Sequence, residues 1–182
     1  EEGPLKSIIS DTRRLLKSQE AKTIRIPYLL ACFLDNPDCF SLYIGTSEGE
    51  LVSYEKQSEE WSSVSINQQV VNCLAIASER SILYAGLDDV ISLFEIPNLN
   101  LLSEFAGHSG SVLFLRIQPK TQILFSGGED GSVKRWEDEN YNDIFNGNRP
   151  IVGLEIVDEN YVVFAEDKYV HIYRETKQYD RI

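Results

Sequence analysis

The sequence predicts an all-β protein assembled from four consecutive copies of one antiparallel unit. Three observations carry that expectation. Small residues recur at Gly45, Gly86, Gly127 and Ala165, at intervals of 41, 41 and 38. Aromatic residues recur at Tyr54, Phe94, Trp136 and Tyr173, at intervals of 40, 42 and 37. Each small residue also follows a β-rich run (41–44, 82–85, 123–126 and 161–164). Each run is preceded by a further apolar strand (29–34, 70–77, 112–117 and 151–157). Intervals near 40 residues mark a repeat architecture, in which each unit buries its faces against its neighbours.

The third copy is the most explicit. Residues 107–137 read GHSGSVLFLRIQPKTQILFSGGEDGSVKRWE. Residues 111–118 form the first strand, Pro119-Lys120-Thr121 a turn, and 122–126 the second strand. Asp130-Gly131 then makes a tight hairpin turn of the kind that small or positive-φ residues fill, and 132–136 form the third strand. This segment resembles one WD40 repeat along its whole length, with Trp136-Glu137 where that family usually has Trp-Asp. The resemblance implies a WD40-type β-propeller, and within this blade a hydrogen-bonded tetrad of His108, Ser126, Asp130 and Trp136 with a structural role. A buried imidazole, hydroxyl and indole N–H need such a network, because each unpaired group costs about 1–3 kcal/mol. A His-Ser-Asp trio is also the make-up of a hydrolase triad. Here the Trp, the hairpin and the Gly107-His108 spacing favour the structural reading.

The expected organisation is an N-terminal amphipathic helix or linker at 1–22 and a propeller segment at 23–182. Its blades fall at about 27–66, 69–102, 103–145 and 150–182. Only the third blade carries the full signature. The first has Ile44 where Ser126 falls and Glu48 where Asp130 falls, and the second and fourth have hairpins one residue shorter. The tetrad therefore does not transfer to them. In the helix, Pro4 suits a first turn, and Leu5, Ile8, Ile9, Thr12, Leu15, Leu16 and Gln19 share one face. That face could pack on the propeller edge, continue a coiled coil or dock on a partner, with packing in cis the plain reading.

Charge and composition narrow the function. The 182 residues carry a net charge of −12. Residues 1–22 hold five basic and four acidic residues, and 23–182 hold 12 basic against 25 acidic. A phosphate backbone is repelled by such a surface, so direct nucleic-acid binding is not expected. No apolar run approaches the roughly 18 residues of a membrane span, and no hydrophobic leader opens the sequence. Cys32, Cys39 and Cys73 are odd in number and lack C-x-x-C spacing, which suits reduced core thiols rather than a disulfide frame or a zinc site. No Asn-x-Ser/Thr acceptor occurs. The interior of a cell is the expected compartment, cytoplasm before nucleus.

No cofactor, metal site or catalytic residue is expected. Gly45-Thr46-Ser47-Glu48-Gly49 satisfies the G-x-S-x-G pattern of a nucleophile elbow, but a strand rather than a helix follows it. Asp138 to Asn142 opens like a calcium loop, yet the sixth position is Asp143 and the twelfth Arg149. Gly127-Gly128 precedes no helix that could cradle a phosphate. His171 alternates with Val170 and Ile172 and reads as a surface or edge residue.

Four blades fall short of the roughly seven or eight that WD40 rings usually hold. With no Met and a Glu1-Glu2-Gly3 start, the expectation is a piece of a longer protein. Further blades of the same polypeptide, a second copy in a homodimer, or another protein would complete the ring, in that order. Residues 23–26 suit the outer strand of a last blade, and the polar 175–181 make a poor fourth strand for blade four. The functional expectation is a non-catalytic scaffold for protein–protein interactions within a larger assembly. The alternatives are a substrate-recognition subunit, as in ubiquitin transfer, and a small-molecule-binding or hydrolytic propeller. Partner loops are expected on one rim at Asn67-Gln68-Gln69, 107–110 and 146–149. On the other they are expected at Glu48-Gly49, Asp88-Asp89, 129–131 and 166–168.

Overall fold

The computed structural model describes residues 29–35, 40–55, 60–66 and 69–174. Within them the chain forms four antiparallel sheets in sequence order. The first holds β1 (Leu29–Asp35), β2 (Phe40–Thr46), β3 (Glu50–Glu55) and β4 (Glu60–Ser65). The second holds β5 (Cys73–Ala77), β6 (Ile82–Gly86), β7 (Val90–Glu95) and β8 (Asn100–Ala106). The third holds β9 (Val112–Ile117), β10 (Leu124–Gly128), β11 (Ser132–Glu137) and β12 (Asn140–Asn146), and the fourth β13 (Ile151–Ile156), β14 (Tyr161–Glu166) and β15 (Tyr169–Arg174). In each sheet every strand pairs with the next in sequence. The all-β expectation holds. The helix expected at 1–22, the segment 23–26 and residues 175–182 lie outside the described residues.

The middle strands are apolar on both faces because both faces are covered. Along β6, Leu83 and Ala85 join a cluster with Tyr43, Leu51, Val71 and Phe94, whereas Tyr84 joins Phe105, Leu115, Leu124 and Trp136. A third cluster joins Phe125 and Val133 to Ile151, Leu154 and Phe164. Each cluster fills one seam between successive sheets. The first strands β1, β5, β9 and β13 lie beside one another, while β8 and β12 are largely exposed. The sheets therefore radiate from an inner row of first strands.

At each seam the repeated glycine has a specific neighbour. A Cβ on Gly45 would stand 2.3 Å from Val71 Cγ1, one on Gly86 2.9 Å from Val112 Cγ1, and one on Gly127 2.9 Å from Ile151 Cγ2. Val71, Val112 and Ile151 are at most 1% exposed. The small residues lie within or at the end of β2, β6 and β10, where the entering β-branched side chain of the next sheet needs the space.

Two local expectations are corrected. The second strand of the third sheet begins at Leu124, not at residue 122. Gln122 has φ 57 and its N–H donates to the Gln118 carbonyl at 2.9 Å, so the turn runs through it. The expected division of loops between two rims also fails. Ile66 N–H donates to Gly49 O at 2.6 Å, Gly147 N–H to Gly131 O at 2.9 Å, and Ser109 N–H to the Asp130 carboxylate at 2.9 Å. The sheet-to-sheet connections and the hairpins after the second strands thus share one rim, because strand direction reverses at each step of a four-stranded meander. The opposite rim carries the turns at 78–81, 96–99, 118–123 and 138–139.

Candidate functional site

The third sheet brings His108, Ser126, Asp130 and Trp136 together. His108 comes from the β8–β9 connection, Ser126 from β10, Asp130 from the β10–β11 turn and Trp136 from β11. That turn closes with Gly131 N–H on Gly128 O, and Gly131 sits at φ 78, a conformation other residues adopt at a cost. Trp136 Nε1–H donates to Ser126 Oγ at 2.8 Å, and Ser126 Oγ lies 2.7 Å from His108 Nε2. His108 Nδ1 lies 3.0 and 3.1 Å from the two Asp130 oxygens. An ionised carboxylate only accepts, so Nδ1 carries the proton, Nε2 accepts from the Ser126 hydroxyl, and Ser126 accepts from the indole. The chain of donors runs one way, from Trp136 through Ser126 and His108 to Asp130.

Asp130 is the sink of this network. It also accepts from the Ser109 and Ser132 N–H groups, each at 2.9 Å, and from the Ser132 hydroxyl at 2.8 Å. Burial pulls its carboxyl upward, but these hydrogen bonds and His108 outweigh it and hold the group at about 2. Burial in turn lowers the His108 imidazole below its ordinary value, with the Asp130 charge opposing. The sequence reading missed Ser132. Its position two residues after Asp130 in a tight turn is the signal for such a side-chain bond.

The Ser-His-Asp order matches a hydrolase triad in connectivity. A nucleophile must meet substrate, however, and Ser126 is 0% exposed, with Trp136 bonded to its oxygen and itself 2% exposed. The first sheet solves its hairpin differently. There Thr46 Oγ1 accepts from Glu48 N–H at 3.3 Å and Glu50 N–H at 2.9 Å, and Ile44 occupies the position of Ser126. The 45–49 segment joins strand to strand, as its hairpin reading requires. The 138–149 segment contains β12, not a calcium loop. Among the described residues no group of three or more His, Cys, Asp or Glu is placed to hold a metal. No helix among them is long and apolar enough to cross a membrane.

Other polar and reactive side chains fall elsewhere. Lys134 is buried, its Nζ 2.5 Å from Asp143 and 4.1 Å from the Tyr141 ring centroid, and Arg135 pairs with Glu137. Burial pushes the Cys73 thiol up to about 12, and its Sγ donates to Val112 O. His171 does lie on an edge strand, β15, but its side chain is only 32% exposed. Its ring stacks on Phe164 at 5.0 Å and meets Phe145 at 4.6 Å, so it faces the third sheet. The alternate residues Val170 and Ile172 point the other way and are each 70% exposed.

Radiating antiparallel sheets with a polar clamp in one of them define a β-propeller segment. Residues 99–137 match the model of the WD domain, G-beta repeat, and the chain is a member of the WD40-repeat β-propeller family. It is 36% identical over 72 residues to the CCR4-associated factor 4 homolog of Candida glabrata, covering 38% of this chain and 12% of that protein. It is 28% identical over 86 residues to the p21-activated protein kinase-interacting protein 1 of Bos taurus, covering 46% of this chain and 22% of that one. Among solved structures, that of U3-55K superimposes with a TM-score of 0.71 at 22% identity, covering 84% of this chain and 51% of the other. The WD40 repeats of RRP9 give 0.68 at 21%, covering 80% and 50%. The chain thus spans about half the length of these structures and less of the curated relatives.

Proposed function

We propose that the chain is a non-catalytic WD-repeat scaffold for protein–protein interactions, and that its four blades act as part of a larger ring. The observation that carries this is the far face of the fourth sheet. Val170 and Ile172 are each 70% exposed there, although the corresponding faces of the first three sheets are covered by the next sheet. Ala165 occupies on β14 the place that Gly45, Gly86 and Gly127 occupy on their strands. By the rule of the three observed seams it receives an apolar residue entering from a following blade. A further blade, from the same polypeptide, a second copy or another protein, fits this face.

In this reading the tetrad holds the third blade rather than performing chemistry, and the names of relatives such as the kinase-interacting protein support a role in binding proteins. Native mass spectrometry of the chain with and without cell extract tests it. A homodimer or a defined complex that Ile172→Lys abolishes supports ring completion through this face. A stable monomer that captures nothing, with Ile172→Lys without effect, overturns it.

A further inference from the structure

A cavity of about 200 Å³ opens at the seam of the second and third sheets, on the rim opposite the Asp130 turn. Its walls are Tyr84, Leu93, Phe105, Leu124 and Trp136, each no more than 7% exposed. Its polar groups come from turns on that rim: Arg80, Gln122, Asp138 and Glu139. Small-molecule sites usually occupy about 300–1,000 Å³. This volume suits a single side chain of a partner protein.

The polar groups define what that side chain carries. Gln122 is 9% exposed, and its amide nitrogen is committed to the Pro119 carbonyl at 2.5 Å. That fixes the orientation of the amide, since an oxygen in that place would face another acceptor. Its Oε1 is buried with no partner, an acceptor left without a donor. Asp138 and Glu139 add two carboxylates, with one Glu139 oxygen accepting from Ser103 Oγ at 3.0 Å. Arg80 is the one opposing charge in the lining, and its guanidinium bonds the Tyr84 hydroxyl. Aromatic walls favour a cation with an apolar stem.

We infer that this inter-blade cavity is a docking pocket for a lysine or arginine side chain of a partner protein. The stem lies along Phe105 and Trp136, and the charged head meets the Asp138 and Glu139 carboxylates. The inference names a partner chemistry within the scaffold reading, but it rests on a seam between fully described sheets and not on ring completion.

The test uses the full chain and four alanine-based peptides carrying one central lysine, arginine, norleucine or glutamate, followed by nuclear magnetic resonance. The expected result is dose-dependent movement of the Trp136 indole and Gln122 side-chain signals with the lysine or arginine peptide. Norleucine and glutamate peptides bind at least about tenfold more weakly, a difference that weak affinities still resolve. The double variant Asp138→Asn/Glu139→Gln weakens the basic peptides about tenfold while keeping the fold, because both residues are exposed and Asn tolerates the positive φ of 54 at 138. Equal binding of norleucine, preference for glutamate, no shift with any peptide, or no effect of the double variant each overturns the inference. Capture of a partner through the fourth sheet with no peptide binding here would leave the scaffold reading standing and remove this pocket alone.

Discussion

Ile151 of β13 fills the space that Gly127 of β10 leaves. A Cβ at 127 would stand 2.9 Å from Ile151 Cγ2 and 3.3 Å from its Cβ. The same fit joins Gly45 to Val71 and Gly86 to Val112, so one small residue per unit sets how closely the next sheet approaches.

Gly127→Ala should overpack this seam and cost about 1–3 kcal/mol. Ile151→Ala alone should cost about 2–5 kcal/mol, since it empties a fully buried site. The double variant should lose less than the sum, because the new methyl partly fills the vacated space. Urea denaturation of the four proteins in a double-mutant cycle measures the coupling, and additivity would mean that the two positions do not share this space.

Removing the hydroxyl at the centre of the tetrad should be expensive for its size. Ser126→Ala leaves the Trp136 N–H and His108 Nε2 buried without partners, at about 1–3 kcal/mol for each group. Trp136→Phe removes a donor together with its need and should lose less per polar group, although it also trims the packing against Phe105. Chemical denaturation compares them.

Acid should destabilise the third sheet in two stages. Unfolded His108 takes up a proton near 6.5, whereas the folded imidazole, desolvated by burial, resists it. Stability therefore falls as pH drops below that value. Unfolded Asp130 protonates near 3.8, while the folded carboxylate stays ionised to about 2, so a second loss lies between these values. Melting temperatures taken along a downward pH series should show both, and Asp130→Asn should flatten the second.

On the outward face of the fourth sheet, Ile172→Lys should leave folding stability within about 0.5 kcal/mol, because the residue is 70% exposed. Its effect should appear in association instead. Sedimentation against the parent chain reads that difference.

The sequence by itself determined the all-β class and the period of the units, and the third copy's resemblance to a WD40 repeat implied the residues of its tetrad. Those signals are local: alternation within a strand, turn chemistry at Asp130-Gly131, and intervals along one chain. It showed the recurring glycines only as a period. Their purpose lies about 26 residues away, in a side chain on the next sheet that no local pattern connects to them. Likewise His171 read as a surface or edge residue, and it does lie on the edge strand β15, but alternation tells which residues share a face and not which face a neighbour covers. Phe145 and Phe164 decide that, and Val170 and Ile172 are left outward. The distribution of loops between rims and the cavity beside Gln122 were also settled only in three dimensions. Both depend on how strand direction alternates across a sheet and on how two sheets diverge at their seam, and neither is encoded in any single segment.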